Sequence, residues 1–403
     1  MLTFLHVLFL VFFVYFAAAV LYLFVLSFWG RFFRRGTQID LPPAVPLNKI
    51  VIMVPAYKED GIILSTAANL LALDYPAALY TVCIIADSFQ PETIGKLRQM
   101  PLEVLEVSFE KSTKTKSLNA AFAKIGNDHT IALICDADNI LEKDFLKKIN
   151  SAFVNGAMAV QGKRVAKNLD SAFAILDACS EEIGNHIFKK GTYAIGLSSS
   201  VIGSGMAFAF PMVKGILGEI DAIGGFDKIL QLKVVERGVT IHYLEDAVLF
   251  DEKVGSSQAF KAQRKRWVSS QFVYLRKSFI PSCKALIKGN LNYFNLGVAN
   301  NIVPPRSLLF ILLPLLTIAG FLYGSFWGLL SGGLLLLFLL AMGMGVPARM
   351  VNGDLLRALL TLPRAIAIMF GTLLHLKKAN RTFIHTVHTK TEVSNSLFND
   401  HGK

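Results

Sequence analysis

The chain has 403 residues, of which 53% are hydrophobic and only 17% charged. Soluble globular chains carry about a quarter charged residues, so an ordinary soluble protein is excluded, as is disorder over most of the length. Lys and Arg outnumber Asp and Glu by 41 to 29, a net charge of +12. Much of that excess flanks apolar runs, where the positive-inside rule accounts for it, and no nucleic-acid partner is expected.

Residues 2–29 form a run without formal charge, longer than the ~20 residues that cross a bilayer. No basic residue precedes the run, unlike a cleaved signal peptide, and Arg31, Arg34 and Arg35 come directly after it. Residues 1–30 therefore read as a retained transmembrane anchor and 31–47 as a juxtamembrane linker, with the domain after them in the cytoplasm. Between 48 and 255 the texture is that of an α/β domain. Short apolar runs at 50–54, 82–86 and 131–135 alternate with helix-like stretches, the pattern of buried parallel strands with crossover helices. In such sheets ligands bind beyond the carboxyl ends of the strands.

Residues 256–300 read as amphipathic interface helices, and 301–346 as two further membrane helices hinged near Gly324. The stretch 347–378 is apolar but carries Arg357, Pro363, Arg364 and His375. A full crossing would leave Lys377, Lys378 and Arg381 on the outer side, so an interfacial or re-entrant helix is preferred over a third C-terminal span. Residues 379–403 form a polar basic tail, its last dozen or so residues expected to be mobile. The four cysteines, Cys83, Cys135, Cys179 and Cys283, are too scattered for a zinc or disulfide framework.

The polar residues of the α/β domain gather where its strands end. Cys135-Asp136-Ala137-Asp138-Asn139 comes directly after the 131–134 run. Two carboxylates one residue apart at a strand end suit Mg²⁺ or Mn²⁺, which takes one or two of them plus substrate phosphates. Asp138 or Asn139 could equally cap a helix starting near Leu141. The first strand runs into Pro55-Ala56-Tyr57-Lys58-Glu59-Asp60, where a ring and acids could hold a base or ribose, or simply make a turn. Asp87 offers a carboxylate at the same rim. Lys111, Lys114 and Lys116 precede Ser117-Leu118-Asn119, facing either a diphosphate or solvent. Gly203-Ser204-Gly205-Met206 is a flexible turn that permits close backbone approach to a ligand. Gly224-Gly225-Phe226-Asp227 opens a helix-like stretch. Ala262-Gln263-Arg264-Lys265-Arg266-Trp267 lies within 260–279, where Phe260, Trp267, Phe272, Leu275 and Phe279 fall near one helical face suited to an anionic membrane surface.

In this order, and flanked by membrane segments, these motifs resemble the membrane-bound inverting glycosyltransferases of family 2, which include synthases of cellulose, chitin, hyaluronan and poly-N-acetylglucosamine. The resemblance covers most of the chain. It implies a GT-A fold, a Rossmann-like α/β catalytic domain with transmembrane helices at both ends. It implies that Pro55, Ala56, Tyr57 and Glu59 begin the nucleotide site, that Asp87 reaches the uracil or ribose, and that Lys114 lies near the diphosphate. Asp136 and Asp138 match the D-x-D motif, the second carrying most of the Mg²⁺ or Mn²⁺ coordination. Gly205 and Met206 fall in the turn beside the acceptor, and Gln263, Arg266 and Trp267 match the Q-x-x-R-W motif that holds acceptor sugar and donor diphosphate.

Members usually show Glu-Asp at the base, whereas here Phe226 replaces the Glu and Asp227 takes the Asp position. Glu245-Asp246 is the rival pair. Asp246 precedes a strand-like stretch, 247–250, and the family's base lies upstream of that strand, so Asp227 is favoured. The function implied is metal-assisted transfer from a UDP-sugar to a glycan acceptor, extending a β-linked polysaccharide; the compact size leads to the expectation of a bacterial cytoplasmic membrane, with the catalytic domain cytosolic. Three spans are too few to enclose a polysaccharide channel. That points to a homo-oligomer, an export partner subunit or a lipid-linked acceptor, and a single transfer to such a lipid is the alternative function. A catalytically dead scaffold is the other alternative, because Phe226 breaks the base motif.

Overall fold

Ile50, Ile52 and Val54 alternate with Val51 and Met53 along strand β1 (Ile50–Tyr57), and all five are fully buried. A strand buried on both faces belongs inside a sheet covered on either side. The computed structural model describes residues 2–33, 46–222, 224–373, 388–395 and 397, and shows that sheet. Its other strands are β2 (Tyr80–Asp87), β3 (Glu103–Val107), β4 (Ile131–Ile134), β5 (Ile140–Leu141), β6 (Ala159–Ala166), β7 (Met206–Ala209) and β8 (Ile241–Asp251). The order is β3-β2-β1-β4-β7-β6-β8-β5.

β2, β1 and β4 run parallel, as the apolar runs predict, and β3, which no such run marks, joins them at the edge. The sheet as a whole is mixed, because β7 runs antiparallel to both β4 and β6. The reason is local. The chain enters β7 from the turn at Gly203–Gly205, and Ser204 Oγ in that turn accepts from Asp136 N at 2.9 Å. A strand that starts where β4 ends must run back against it. The order also reverses between β1 and β4, the switch point at which α/β sheets bind ligands.

Three helices, Leu2–Phe32, Arg306–Tyr323 and Ser325–Gly345, are long and apolar enough to cross a membrane. Val20, Leu23, Leu309, Leu313 and Phe338 bury one another among them. The hinge falls at Gly324, whose φ of +142° favours glycine. The 347–378 stretch is not one helix. Among the described residues it holds two α-helices, Gly353–Leu359 and Leu362–Leu373, separated by a turn at Leu360 and Thr361, and residues 374–378 lie outside the described residues. Arg34, Arg35, Lys377, Lys378 and Arg381, on which the orientation argument draws, lie outside the described residues.

The apolar helix Leu2–Phe32 meets the α/β domain backbone to backbone. The domain's helix Ala172–Asn185 continues as a π-helical segment, His186–Gly191, against it. His186 Nε2 lies 2.9 Å from Ser27 O. A Cβ on Gly191 would sit 2.0 Å from Leu26 O, and one on Gly30 would sit 3.1 Å from Gly191 Cα. Gly191→Ala therefore pushes against main chain, which cannot swing aside as a side chain can. We expect a loss of about 2–3 kcal/mol of stability, seen as a lower thermal midpoint in detergent.

The described part of the tail is docked rather than free, and residues 398–403, on which most of the expectation of mobility falls, lie outside the described residues. Residues 388–395 lie along the catalytic domain: Asn395 Nδ2 donates to Ala166 O at 2.7 Å, Ser394 N donates to Lys167 O at 3.0 Å, and Ser65 Oγ donates to Thr391 O at 2.9 Å. Val393 packs against Val165, Val248 and Phe250. These short polar residues find backbone partners beside β6 and β8 rather than water.

Candidate active site

Register aligns the ends of β1 and β2, pairing Tyr57 with Asp87. Lys58 and Ser88, the next residues, have φ of +55° and +61° and are the non-glycine residues with positive φ among those described. Such strain collects at functional sites. Asp87 is buried. Its Oδ1 accepts from Ser88 Oγ at 2.9 Å, and its Oδ2 has no partner, leaving a buried acceptor open at the rim.

The D-x-D segment is not a helix cap. After it the chain makes β5, and the next helix, Phe145–Val154, starts four residues beyond Leu141. Its loop is clamped instead: Asp136 N also donates to Asn139 Oδ1 at 3.2 Å, and Thr66 Oγ1 donates to Ala137 O at 2.6 Å. Lys114, in the first turn of helix Lys114–Lys124, pairs with Asp136 and donates to Gly203 O at 2.7 Å. Its ammonium lies 5.4 Å from the centroid of the Phe226 ring. Phe226 is buried and offers Lys114 a cation–π face. Lys116 does not join the site and donates to Lys111 O at the surface.

Asp138 is 4% exposed, and its Oδ2 accepts from Glu252 N at 3.2 Å. Burial and then the charge of Asp251 push its carboxyl up to about 6. Asp251 is itself held down, against the cost of burial, by Arg164 and by Lys253 at 2.7 Å. Among the described residues no group of three or more His, Cys, Asp and Glu side chains forms a complete metal site. A buried, proton-prone carboxylate beside a second one is nonetheless the donor set that Mg²⁺ or Mn²⁺ uses when substrate phosphates and water complete the shell, so these residues fit such an ion.

Asp227 opens helix Phe226–Glu236. Among the described residues its carboxylate has no hydrogen bond or ion pair, and a Cβ added to Gly203 would lie 3.9 Å from its Cβ. Gly203, Lys114 and Asp136 thus connect Asp227 to the D-x-D loop. Asp246 does not enter this group. It sits within β8 at a register irregularity, where its carbonyl accepts from Lys148 Nζ at 2.5 Å, and the neighbouring Glu245 pairs with Lys190 at 2.7 Å.

Gln263, Arg266 and Trp267 lie on the long helix Ser257–Ile287. Gln263 Oε1 is buried without a partner. Burial lowers the Arg266 guanidinium, while the field of Asp136 opposes the shift and marks the two as neighbours. Trp267 is 39% exposed, with the Arg264 guanidinium 4.8 Å over its ring. On the same helix Phe272 and Phe279 are exposed, whereas Phe260 is buried against Phe173. Met206 needs correction as an acceptor residue: it begins β7 with its side chain wholly in the core beside Val51 and Met53. Gly205 contributes backbone, with φ +59° and its carbonyl accepting from Gly162 N at 2.8 Å.

Two residues at the site escape sequence reasoning. Tyr274, seven residues after Trp267 and so two turns along the same helix face, donates to Gly224 O and feels the charge of Asp227. Helical spacing could have found it. His388 lies in the polar tail with no motif around it. It bonds Glu59 at 2.9 Å and faces Asp138 and Asp251.

A family model described as glycosyltransferase like family 2 matches residues 46–270. The chain belongs to glycosyltransferase family 2. This family 2 enzyme is 24% identical over 259 residues to the beta-monoglucosyldiacylglycerol synthase of Synechocystis sp., a match covering 59% of this chain and 52% of that protein. It is 22% identical over 245 residues to the probable glycosyltransferase YdaM of Bacillus subtilis, covering 57% of each. The match therefore spans just over half the length of these curated relatives. Among solved structures, the mannosyltransferase PcManGT from Pyrobaculum calidifontis, in complex with GDP-Man and Mn²⁺, aligns over 90% of this chain and 96% of its own, with a TM-score of 0.55 and 18% identity. That likeness shows the fold, GT-A.

The tail histidine gives a pH prediction for the transferase. Burial would lower the His388 imidazole, but the bond to Glu59 and the fields of Asp138 and Asp251 outweigh it and push it up to about 9. Its folded value lies above the unfolded ~6.5, so its stabilisation is complete below about pH 6.5 and lost as pH rises through 9. We expect about 2 kcal/mol of tail docking to disappear over that window. Limited proteolysis should cut near the tail faster at pH 9 than at pH 6.5, and His388→Gln should remove the difference.

Proposed function

We propose that this family 2 glycosyltransferase moves a single sugar, with inversion, from a nucleotide-sugar donor to a lipid acceptor at the membrane surface. The observation that carries the reading is the unpaired Asp227 carboxylate, set beside Gly203 and joined through Lys114 to the D-x-D loop. A general base must be free to take a proton while lying next to the donor site. The acceptor hydroxyl attacks the anomeric carbon as its proton passes to Asp227. The bond from that carbon to the diphosphate oxygen breaks, and the nucleoside diphosphate departs with the electron pair.

Asp87, with its unpartnered Oδ2, Glu59 and the Pro55–Tyr57 turn hold the nucleoside in this reading. Lys114, paired with Asp136, and Arg266, in the field of Asp136, supply fixed positive charge that stabilises the leaving diphosphate in this reading. A divalent cation held by Asp138, with Asp136 beside it, would neutralise further charge building on the departing oxygens. Gln263 Oε1 and the Trp267 ring offer the acceptor a buried hydrogen-bond acceptor and a stacking face. The lipid acceptor is supported by the direct contact between the first span and the segment leading into the site, and by the name of the Synechocystis relative. Among the described residues only three helices can cross a membrane, too few to surround a glycan channel.

Chain extension is the second reading, favoured by Gln263, Arg266 and Trp267. Product length separates the two. Purified protein given a panel of UDP- and GDP-sugars with Mn²⁺, a lipid extract and an Asp138→Ala control should release nucleoside diphosphate from one donor and label one lipid with one sugar. A ladder of sugars would establish extension instead. Release that does not need Asp138, or none from any donor, would sink the proposal.

A further inference from the structure

Among the described residues several buried cations are paired with carboxylates, whereas Lys167, Lys189 and Arg306 are not, and Lys167 donates instead to the carbonyls of Asp138 and Lys390. Arg164 meets Glu181 at 2.6 Å and Asp251 at 3.7 Å, Lys163 meets Glu182 at 3.0 Å, and Lys253 meets Asp251 at 2.7 Å. Arg264 pairs with Asp177. Lys189 is 4% exposed and donates to Asn185 Oδ1 at 2.6 Å, yet meets no carboxylate among the described residues. Arg306 donates through Nη2 to Ser180 O at 2.8 Å and lies 5.6 Å over the Phe188 ring, while its Nη1 is buried without a partner. A buried charge without a counter-ion is costly, and a buried donor without an acceptor is rare.

These two charges do not neutralise each other, and their surroundings add to the excess. Burial lowers the Lys189 ammonium, Glu181 opposes the shift, and Arg164, Lys228 and Arg306 lower it further, to about 7. Their position is as telling as their charge. Lys189 lies in the π-helical segment whose Gly191 touches Leu26 of the first span, Arg306 opens the second span, and Lys228 is the residue after Asp227. Lys189 and Arg306 thus lie where the membrane helices meet the domain, with Lys189 in the field of Lys228 beside the proposed base. Lys114 and Arg266, beside Asp136, already serve the donor diphosphate, so this group is free for another anion.

We propose that Lys189 and Arg306, with Lys228 nearer the base, form a site for the phosphate of the acceptor lipid, which directs that lipid's hydroxyl towards Asp227. The inference rests on the transferase reading above and names its acceptor class. A phosphate matches the site because it accepts from an ammonium and a guanidinium together through charge-assisted bonds. A neutral headgroup would leave both charges unpaired.

The test uses the full chain in detergent with three probes: short-chain phosphatidylglycerol, diacylglycerol of the same chain length, and inorganic phosphate. Phosphatidylglycerol should raise the thermal midpoint by several degrees, as a ligand bound only by the native state does, and the other two should not. Lys189→Met and Arg306→Gln should each weaken phosphatidylglycerol binding by about tenfold or more. Lys189→Met keeps the side-chain length and removes a buried charge but leaves Asn185 Oδ1 without its donor, so lipid binding by each variant is read as the shift from that variant's own lipid-free midpoint. Both variants should keep Mn²⁺-dependent binding of UDP or GDP, which reports separately on the transferase reading. Equal shifts from phosphatidylglycerol and diacylglycerol, a full shift from inorganic phosphate, or undiminished lipid binding in both variants would overturn the site.

Discussion

Asp227→Asn is expected to leave a protein that binds nucleoside diphosphate normally and transfers almost no sugar. The substitution keeps the size of the side chain and its place in the first turn of helix Phe226–Glu236, so the Gly203 contact and the Lys114 bridge survive. It removes only the ability to take a proton. General-base catalysis contributes about 10²–10⁴-fold, and loss at the upper end is expected where the acceptor is a hydroxyl with no other base beside it. The measurement pairs sugar transfer with nucleotide binding in one preparation. Asp246→Asn is the control, since that residue lies in a strand and its carbonyl is held by Lys148. Near-normal transfer by the Asp227 variant, or its loss in the Asp246 variant, would move the base to β8.

The same comparison shows what the chain discloses before it is folded. The parallel strands β1, β2 and β4 are legible because they are apolar runs, two ending in Tyr57 and Asp87 and the third two residues before Asp136, and strand ends are where such sheets bind ligands. The spans are legible because a bilayer demands length and apolarity together. β7 was not readable as antiparallel, since direction depends on where the chain enters, and that is fixed by Ser204 bonding Asp136 across 68 residues. Met206 shows the opposite error. Its neighbours form the turn, yet the pleat sends its own side chain into the core.

The residues hardest to foresee are those brought in from far along the chain. His388 meets Glu59 over 329 residues, and no local pattern marks a histidine that will return to a rim built by β1. Lys189 is similar. In sequence it is one of two adjacent lysines, and only the fold shows that Lys190 pairs with Glu245 while Lys189 turns inward. Strain at Lys58 and Ser88 is equally silent, because neither residue type announces a positive φ.

Asp138→Asn should abolish metal-dependent donor binding and at the same time make the metal-free protein more stable. Asp138 is wholly enclosed, and burial together with Asp251 raises its carboxyl to about 6, above the ~3.9 of an unfolded chain. Between about pH 4 and 6 the metal-free native state therefore holds a proton that the unfolded chain has released. Stability falls as pH rises through that window, and above it the ionised carboxylate costs about 2 kcal/mol. Asparagine carries no charge to desolvate, so at pH 7.5 the metal-free variant should melt several degrees above metal-free wild type. Mn²⁺ with nucleoside diphosphate should then raise the midpoint of wild type and leave the variant unchanged, because a bound ion needs the anionic oxygen that asparagine lacks. A variant that melts lower than wild type without metal would mean that Asp138 is held by partners that favour its charge. A variant still stabilised by Mn²⁺ and nucleotide would move the metal to Asp136 or Asp251.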